Sequence, residues 1–177
     1  PIAVIPADIL ASNGAASTSA AKAFIENARA AGQVPLKPAE AQQVADMADE
    51  LTRHAEASAL LTAPGVQCEM SAFAIDPQTG VWLRGRFDFL SPGQGVGDYK
   101  TAADGEPGKF ARRTMLDLGY HVQAAHYLDL AAAVGLADPD APFRFIVQEK
   151  AAPYLVSVVT VGDDYLALGR HDMRRAI

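Results

Sequence analysis

The chain has 177 residues, half of them hydrophobic and 20% charged, with a formal net charge of −6 at pH 7. That length is ordinary for a single domain and the apolar content is ample for a core, so a disordered or low-complexity chain is excluded. One cysteine, Cys68, excludes an internal disulfide and a cysteine-rich metal site and fits a reducing cytoplasm. The Ala-rich runs are broken by charges well before the roughly 20 apolar residues that a spanning helix needs, so no membrane partner is expected. No basic segment precedes the apolar start as in a signal peptide. A negative chain lacks the global basic footprint of a nucleic-acid binder, but divalent metals would add positive charge where carboxylates cluster. Composition is therefore neutral on that question.

In chain order, residues 1–17 are small, apolar and without a period. Ser17 or Thr18 caps a helix running to about Ala31, with Gly32 as its stop. Pro35 and Pro38 mark a loop, and Pro38 opens a second helix carrying Val44, Met47, Ala48 and Leu51, which continues directly or after a kink to Leu61. After Pro64-Gly65 the period changes to two. Val66 to Ile75 and Val81 to Leu90 read as a hairpin around Asp76–Gly80, and Val96 to Thr101 as a third strand after the turn Ser91–Gly95. A loop from Ala102 to Gly108 precedes helical stretches Phe110–Leu118 and Tyr120–Val134. Strands Phe143–Glu149 and Tyr154–Val161 follow, and a helix begins at Asp163. This order predicts an α/β (α+β) core with a central mixed sheet of about five strands flanked by helices. The whole of 1–177 reads as one domain, with a helical part over 1–64 and a core over 65–177.

Strand alternation places Arg84, Arg86 and Asp88 on one face, and Leu83, Gly85, Phe87 and Phe89 on the other. Asp98 and Lys100 share a face of the next strand. If these strands pair through the Ser91–Gly95 turn, two carboxylates and an ammonium converge where unpaired charge is expensive. Phosphodiester hydrolysis accounts for such a set. Asp88 and Asp98 are the hard oxygen ligands that Mg²⁺ or Mn²⁺ prefers, the carbonyl of Tyr99 adds another oxygen, and Lys100 orients the attacking water.

The segments Gly85-Arg86-Phe87-Asp88 and Gly97-Asp98-Tyr99-Lys100-Thr101, followed by Gly119-Tyr120-His121-Val122-Gln123 through Tyr127, resemble a known pattern. They are similar to the D…(D/E)XK signature and GYHxQxxxY segment of the PD-(D/E)XK nucleases. The latter segment resembles the one that follows the signature in phage-type exonucleases, a group that includes exodeoxyribonuclease VIII (RecE-like) and RecB-like nuclease domains. Asp-x-Lys alone is a weak signal, and the ordered set from about Glu69 to Tyr154 is a much stronger one. Phe87 stands where the signature's name has Pro, a substitution this group tolerates. The resemblance implies a restriction-endonuclease-like core with Asp88 and Asp98 as metal ligands and Lys100 as catalytic. Gln123 and Tyr127, one helical turn apart, would contact the DNA strand near the scissile phosphate. It also implies double-stranded DNA as substrate, a single-strand annealing recombinase as partner, a ring-shaped homo-oligomer, and a bacterial cytoplasm as its place. The pattern further calls for an upstream metal-binding histidine. His54 lies in Thr52-Arg53-His54-Ala55, unlike the family context, so that ligand is expected before Pro1.

Plainer readings compete at several positions. Asp88 and Asp98 also suit structural ion pairs with Arg86 and Lys100. Glu69 shares strand parity with Gln67 and Ser71 and is either an extra metal ligand or a surface residue. Arg84 and Arg86, like Lys109, Arg112 and Arg113 after the active-site strand, are phosphate contacts or solvated charges. At least one of His121 and His126 is expected to pack, the cluster Gln148–Lys150 to be solvated, and Trp82 and Tyr99 to be core. The rival to an enzyme is an inert nuclease-like DNA-binding or scaffolding module. A Cas4-like nuclease would need several cysteines, which this chain lacks.

Overall fold

A computed structural model describes all of residues 1–177. The chain divides into two compact units, Pro1–Asp49 and Glu50–Ile177. The boundary falls inside a helix, upstream of residue 64.

In the first unit, β1 (Ile2–Val4) pairs in parallel with β2 (Val34–Leu36). Sequence alone reads both stretches as irregular, because three-residue strands are too short to display a period. Pro35 is tolerated in a two-stranded ribbon because its missing N–H falls on an edge. Between them α1 (Ser19–Ala30) is capped by Thr18, whose Oγ1 accepts the Ala21 N–H at 3.0 Å and donates to the Ile9 carbonyl. The next helix, α2, runs from Pro38 to Arg53, and Glu40 accepts the Lys37 N–H at its start. It stops at His54, whose Nδ1 accepts the Ala57 N–H and caps α3 (Ala55–Thr62). The kink thus arises from a side-chain cap that competes with the helix backbone.

The second unit is built on one sheet whose spatial order matches the chain: β3 (Gln67–Ile75), β4 (Trp82–Ser91), β5 (Gly95–Ala102), β6 (Phe143–Glu149) and β7 (Val156–Thr160). All neighbours are antiparallel except β5 and β6, which are parallel and need a crossover. That crossover is helical. Glu106 caps α4 (Pro107–Lys109), a π-helical turn spans Phe110–Thr114, and α5 (Met115–Asp117) and α6 (Tyr120–Ala133) follow. The helical run therefore starts three residues before Phe110. The final helix, α7 (Asp163–Ala176), packs against α6. β7 is shorter than the expected Tyr154–Val161, because Tyr154 closes a left-handed turn in which its N–H donates to the Ala151 carbonyl at 2.8 Å.

Two apolar clusters lie on the two faces of the sheet. Phe87, Phe143, Phe145, Val147, Leu128 and Leu130 belong to the larger one with α6, and Phe89 and Ile146 join Ala57 and Leu60 of α3 in the other. Burial of these large side chains contributes roughly 1.5–3 kcal/mol each, which makes the sheet centre the most rigid platform in the unit.

At the hairpin tip, Asp76 is fully buried. Its carboxylate accepts from the Thr79 hydroxyl at 2.7 Å and the Thr79 N–H at 2.9 Å, and pairs with Arg174 of α7 at 2.6 Å. The Thr79 hydroxyl and the Arg174 guanidinium hold its pKa down to about 2. The contribution is complete above the ordinary carboxylate pKa and is lost as pH falls from about 4 through 2. Asp76→Asn is therefore expected to lower the urea midpoint at neutral pH, with the two proteins converging as pH approaches 2. Equal midpoints at pH 7 would contradict this anchoring of the tip.

Candidate active site

The site begins where two strands part. β4 and β5 pair only at Phe89–Gly97, Leu90–Val96 and Ser91–Gly95, so the ladder ends at Asp88 and Asp98. Asp88 then replaces a strand carbonyl: its Oδ2 accepts the Tyr99 N–H at 2.8 Å. On its other side, β4 pairs continuously with β3 except at Glu69 and Asp88, and Glu69 has φ of +57°. At this point the strands change face. Phe87 packs in the cluster under α6, whereas Phe89, two residues on, packs against α3. Simple alternation cannot produce that, since residues two apart share a face. The expected grouping of Arg84 and Arg86 with Asp88 is therefore corrected: the break turns Asp88 toward Asp98 while the two arginines point away from α6.

Asp98 is the electrostatic centre, only 2% exposed. Gln123 of α6 donates its Nε2 hydrogen to Asp98 Oδ1 at 2.6 Å, and Lys100 Nζ lies 2.5 Å from Oδ2. The Lys100 ammonium is the one partner of Oδ2, which is otherwise enclosed. Burial pushes the Asp98 pKa up, against the opposing pull of Lys100 and Gln123, and the nearby Asp88 charge adds to the rise. Lys100 is itself held over the Tyr120 ring, 4.7 Å from its centroid, a cation–π arrangement. Behind the strand, the Tyr99 hydroxyl donates to Gln148 at 2.6 Å, and Gln148 donates to the Tyr154 carbonyl at 3.2 Å. This brace fixes the backbone that carries Asp98 and Lys100.

The structure brings together Asp88, Asp98, Tyr99, Lys100 and Gln123. Tyr127 comes close but packs its ring edge-on to Phe87 at 5.2 Å and against Gly85, where any side chain would strike Leu130 and Tyr127. Glu69 does not join: its carboxylate is exposed and paired with Arg86 at 2.5 Å. The basic residues after β5 are partly neutralised, Lys109 by Asp104 and Arg113 by Asp117, with Arg112 beside Glu106. His54 is a helix cap. His121 is buried between the Met115 carbonyl and Asp172, and His126 donates to the Arg84 carbonyl on the open edge of β4. Three expectations are reversed. Trp82 is exposed, Gln148 is fully buried, and Glu149 accepts the Gly105 N–H instead of lying in a solvated cluster. Tyr120 and Gln148, which support Lys100 and Tyr99, had no signal beyond lying in or near the motif, because both act across long sequence separations.

Two neighbouring carboxylates, Asp88 and the buried Asp98, supply the hard oxygens that suit a divalent cation retaining water and taking substrate oxygens. Asp88, Asp98 and the Tyr99 carbonyl are the residues that would hold it. No group of three or more His, Cys, Asp or Glu side chains is present that would form a complete protein cage.

The five-stranded mixed sheet flanked by helices, with its D…DXK pair at the parting strands, defines the PD-(D/E)XK nuclease-like class of fold. Residues 15–177 match the model of the family described as a PDDEXK-like domain of unknown function (DUF3799), and the chain belongs to that family. Among solved structures it is similar to a candidate exonuclease from Eubacterium rectale, with 17% identity and a TM-score of 0.64. That match covers 86% of this chain and 57% of the other. The chain thus spans little more than half of that protein, and at this identity the likeness concerns the fold. A second structure, of SSO0001, matches at 16% identity over 69% of this chain and 54% of the other, with a TM-score of 0.39 too low to establish a common fold. No curated protein sequence matches the chain. No helix is long and apolar enough to cross a membrane.

Proposed function

We propose that this chain is a Mg²⁺- or Mn²⁺-dependent deoxyribonuclease that degrades double-stranded DNA from its ends, in the manner of phage recombination exonucleases. The observation that carries the reading is the meeting of Asp88, Asp98 and Lys100 at the end of the β4–β5 ladder, with Gln123 holding Asp98 from the helix. A bare structural ion pair has no need of the second carboxylate, whose charge opposes that of the buried Asp98.

When bound, the cation neutralises phosphate charge as a Lewis acid. The protein's part is positioning. Gln123 fixes the Asp98 carboxylate so that Oδ2 faces the site, and the Tyr120 ring holds Lys100 beside it. Lys100 orients the attacking water and offsets charge as the water oxygen loses a proton to solvent and bonds phosphorus, while the P–O ester bond breaks and the leaving oxygen takes up a proton from solvent. Tyr127 and the arginines Arg84, Arg86, Arg112 and Arg113 contact the DNA backbone in this reading. A single-strand annealing recombinase as partner, a ring-shaped oligomer and a bacterial cytoplasmic setting are supported only by resemblance to phage-type exonucleases.

End-labelled linear duplex and closed circular DNA, each with Mg²⁺ and with EDTA, test the reading. Cleavage of the linear form alone, lost in EDTA, is expected. Asp98→Asn should abolish both cleavage and the calorimetric heat of Mn²⁺ binding. It should also raise the thermal midpoint at neutral pH. Because burial raises the Asp98 pKa, its charge costs stability above that pKa, and the gain should vanish as pH falls toward 4. Cleavage that survives Asp98→Asn would sink the assignment. The inert-module reading draws on the incomplete set of protein ligands, and predicts DNA binding with no cleavage at all.

A further inference from the structure

The hairpin of β3 and β4 has an outer face that is turned away from α6. Gly85 faces Tyr127 and Leu130 of α6, so its neighbours Arg84 and Arg86 face away from that helix. Register sets Ser71 opposite Arg86, Phe73 opposite Arg84 and Ile75 opposite Trp82. Cross-strand partners share a face, so two aromatic rings and two guanidinium groups are interleaved on one ribbon. Phe73, Ile75 and Trp82 are 59%, 53% and 69% exposed. Isolated exposed apolar residues are ordinary, but three in register form a patch that needs an explanation. The ribbon is also rigid, because its tip is tied to α7 through Asp76 and Arg174.

Two open cavities border this face, and Gln123 is the residue through which one of them meets the candidate site. One of about 370 Å³ is lined by Ser71, Phe73, Arg84, Arg86 and Tyr127. Another of about 520 Å³ runs past Trp82, Arg84 and Tyr127 to Gln123, the residue that holds Asp98. Arg86 is paired with Glu69 and Arg84 has no acidic partner of that kind, and a guanidinium beside exposed rings suits a strand with phosphates and unpaired bases. A duplex keeps its base faces stacked inside and offers only backbone and groove edges.

We infer that Phe73 and Trp82, with Arg84 and Arg86, form a stacking platform that holds a single DNA strand leading to the candidate active site. The choice of DNA rests on the nuclease reading. The platform itself rests on the register, exposure and cavities.

Trp82 is the chain's one tryptophan, so intrinsic fluorescence reports on this face alone. The experiment titrates the full chain with a short oligodeoxythymidylate in EDTA, where no metal supports hydrolysis, and follows both anisotropy of the labelled strand and Trp82 emission. Saturable quenching that weakens with salt is expected. Trp82→Ala should weaken binding by roughly 5- to 150-fold, the range set by loss of one base stack, and Trp82→Phe should restore most of it. Since these side chains are exposed, folding of the variants is checked directly by circular dichroism. The proposal is overturned by an oligonucleotide that fails to bind or binds without quenching, by unchanged affinity of Trp82→Ala, or by equal quenching with blunt duplex. Preference for oligouridylate overturns the choice of DNA. Quenching that depends on protein concentration without nucleic acid assigns the face to a second copy of the chain and also overturns it. DNA cleavage without quenching would refute the platform alone, and quenching by a protein that cleaves nothing would refute only the nuclease.

Discussion

Lys100→Ala is expected to cut Mg²⁺-dependent cleavage of linear duplex DNA by on the order of 10²–10³ while leaving the fold intact. The ammonium lies 2.5 Å from Asp98 Oδ2 and over the Tyr120 ring. Two measurements separate loss of chemistry from loss of structure. Circular dichroism should be unchanged, while the thermal midpoint falls at neutral pH and recovers as pH falls toward 4, because the buried Asp98 charge loses its cation. The acid limb of the pH–rate profile should shift upward, because Lys100 is the strongest influence opposing the burial that raises the Asp98 pKa. A purely structural lysine would lower the midpoint without moving that limb. An inert DNA-binding module would show no cleavage in either protein, and weaker DNA binding in the variant through loss of a positive charge. Undiminished cleavage by Lys100→Ala would place the catalytic centre elsewhere.

Gly97→Ala is expected to be among the most destabilising single substitutions in the sheet. A Cβ at residue 97 would overlap the Phe89 ring and lie 2.6 Å from the Arg144 carbonyl oxygen. The ring is fully packed against α3 and the carbonyl belongs to the neighbouring strand, so neither can retreat cheaply. Overpacking of this kind costs about 3 kcal/mol, which for a chain of this size lowers Tm by roughly 6–12 °C. The adjacent Asp98 would be displaced with the strand, so cleavage should fall in parallel with stability. A Tm within 2 °C of wild type, about what 1 kcal/mol would cause, would show that Phe89 has room to move.

Much of the core was legible from residue order. The change from helical to alternating period after Gly65 located the sheet, and β6 runs over Phe143–Glu149 as predicted because a short apolar run suits a central strand buried on both faces. Asp98 and Lys100 were placed on one face by strand alternation. Thr18 and Asp163 marked helix starts through chemistry contained within one turn. What escaped was set by distant partners. The ribbon of β1 and β2 joins segments some thirty residues apart with too few residues for a period. Trp82 was assigned to the core on hydrophobicity, yet its exposure depends on where the sheet ends and what lies beyond it.

The sequence by itself determined which residues carry charge chemistry, their order along strands and helix, and the apolar faces that must be buried. These are properties of local period and composition. Tertiary structure alone decided that Asp88 leaves the face of Arg84 and Arg86 at a break opposite Glu69. It also decided that Gln123 reaches Asp98 from 25 residues away, and that Glu69 and His54 are engaged elsewhere. Each of those outcomes turns on a strand ladder ending or a side chain finding a distant partner. The energy of such contacts depends on packing across the chain, which no local window of sequence contains.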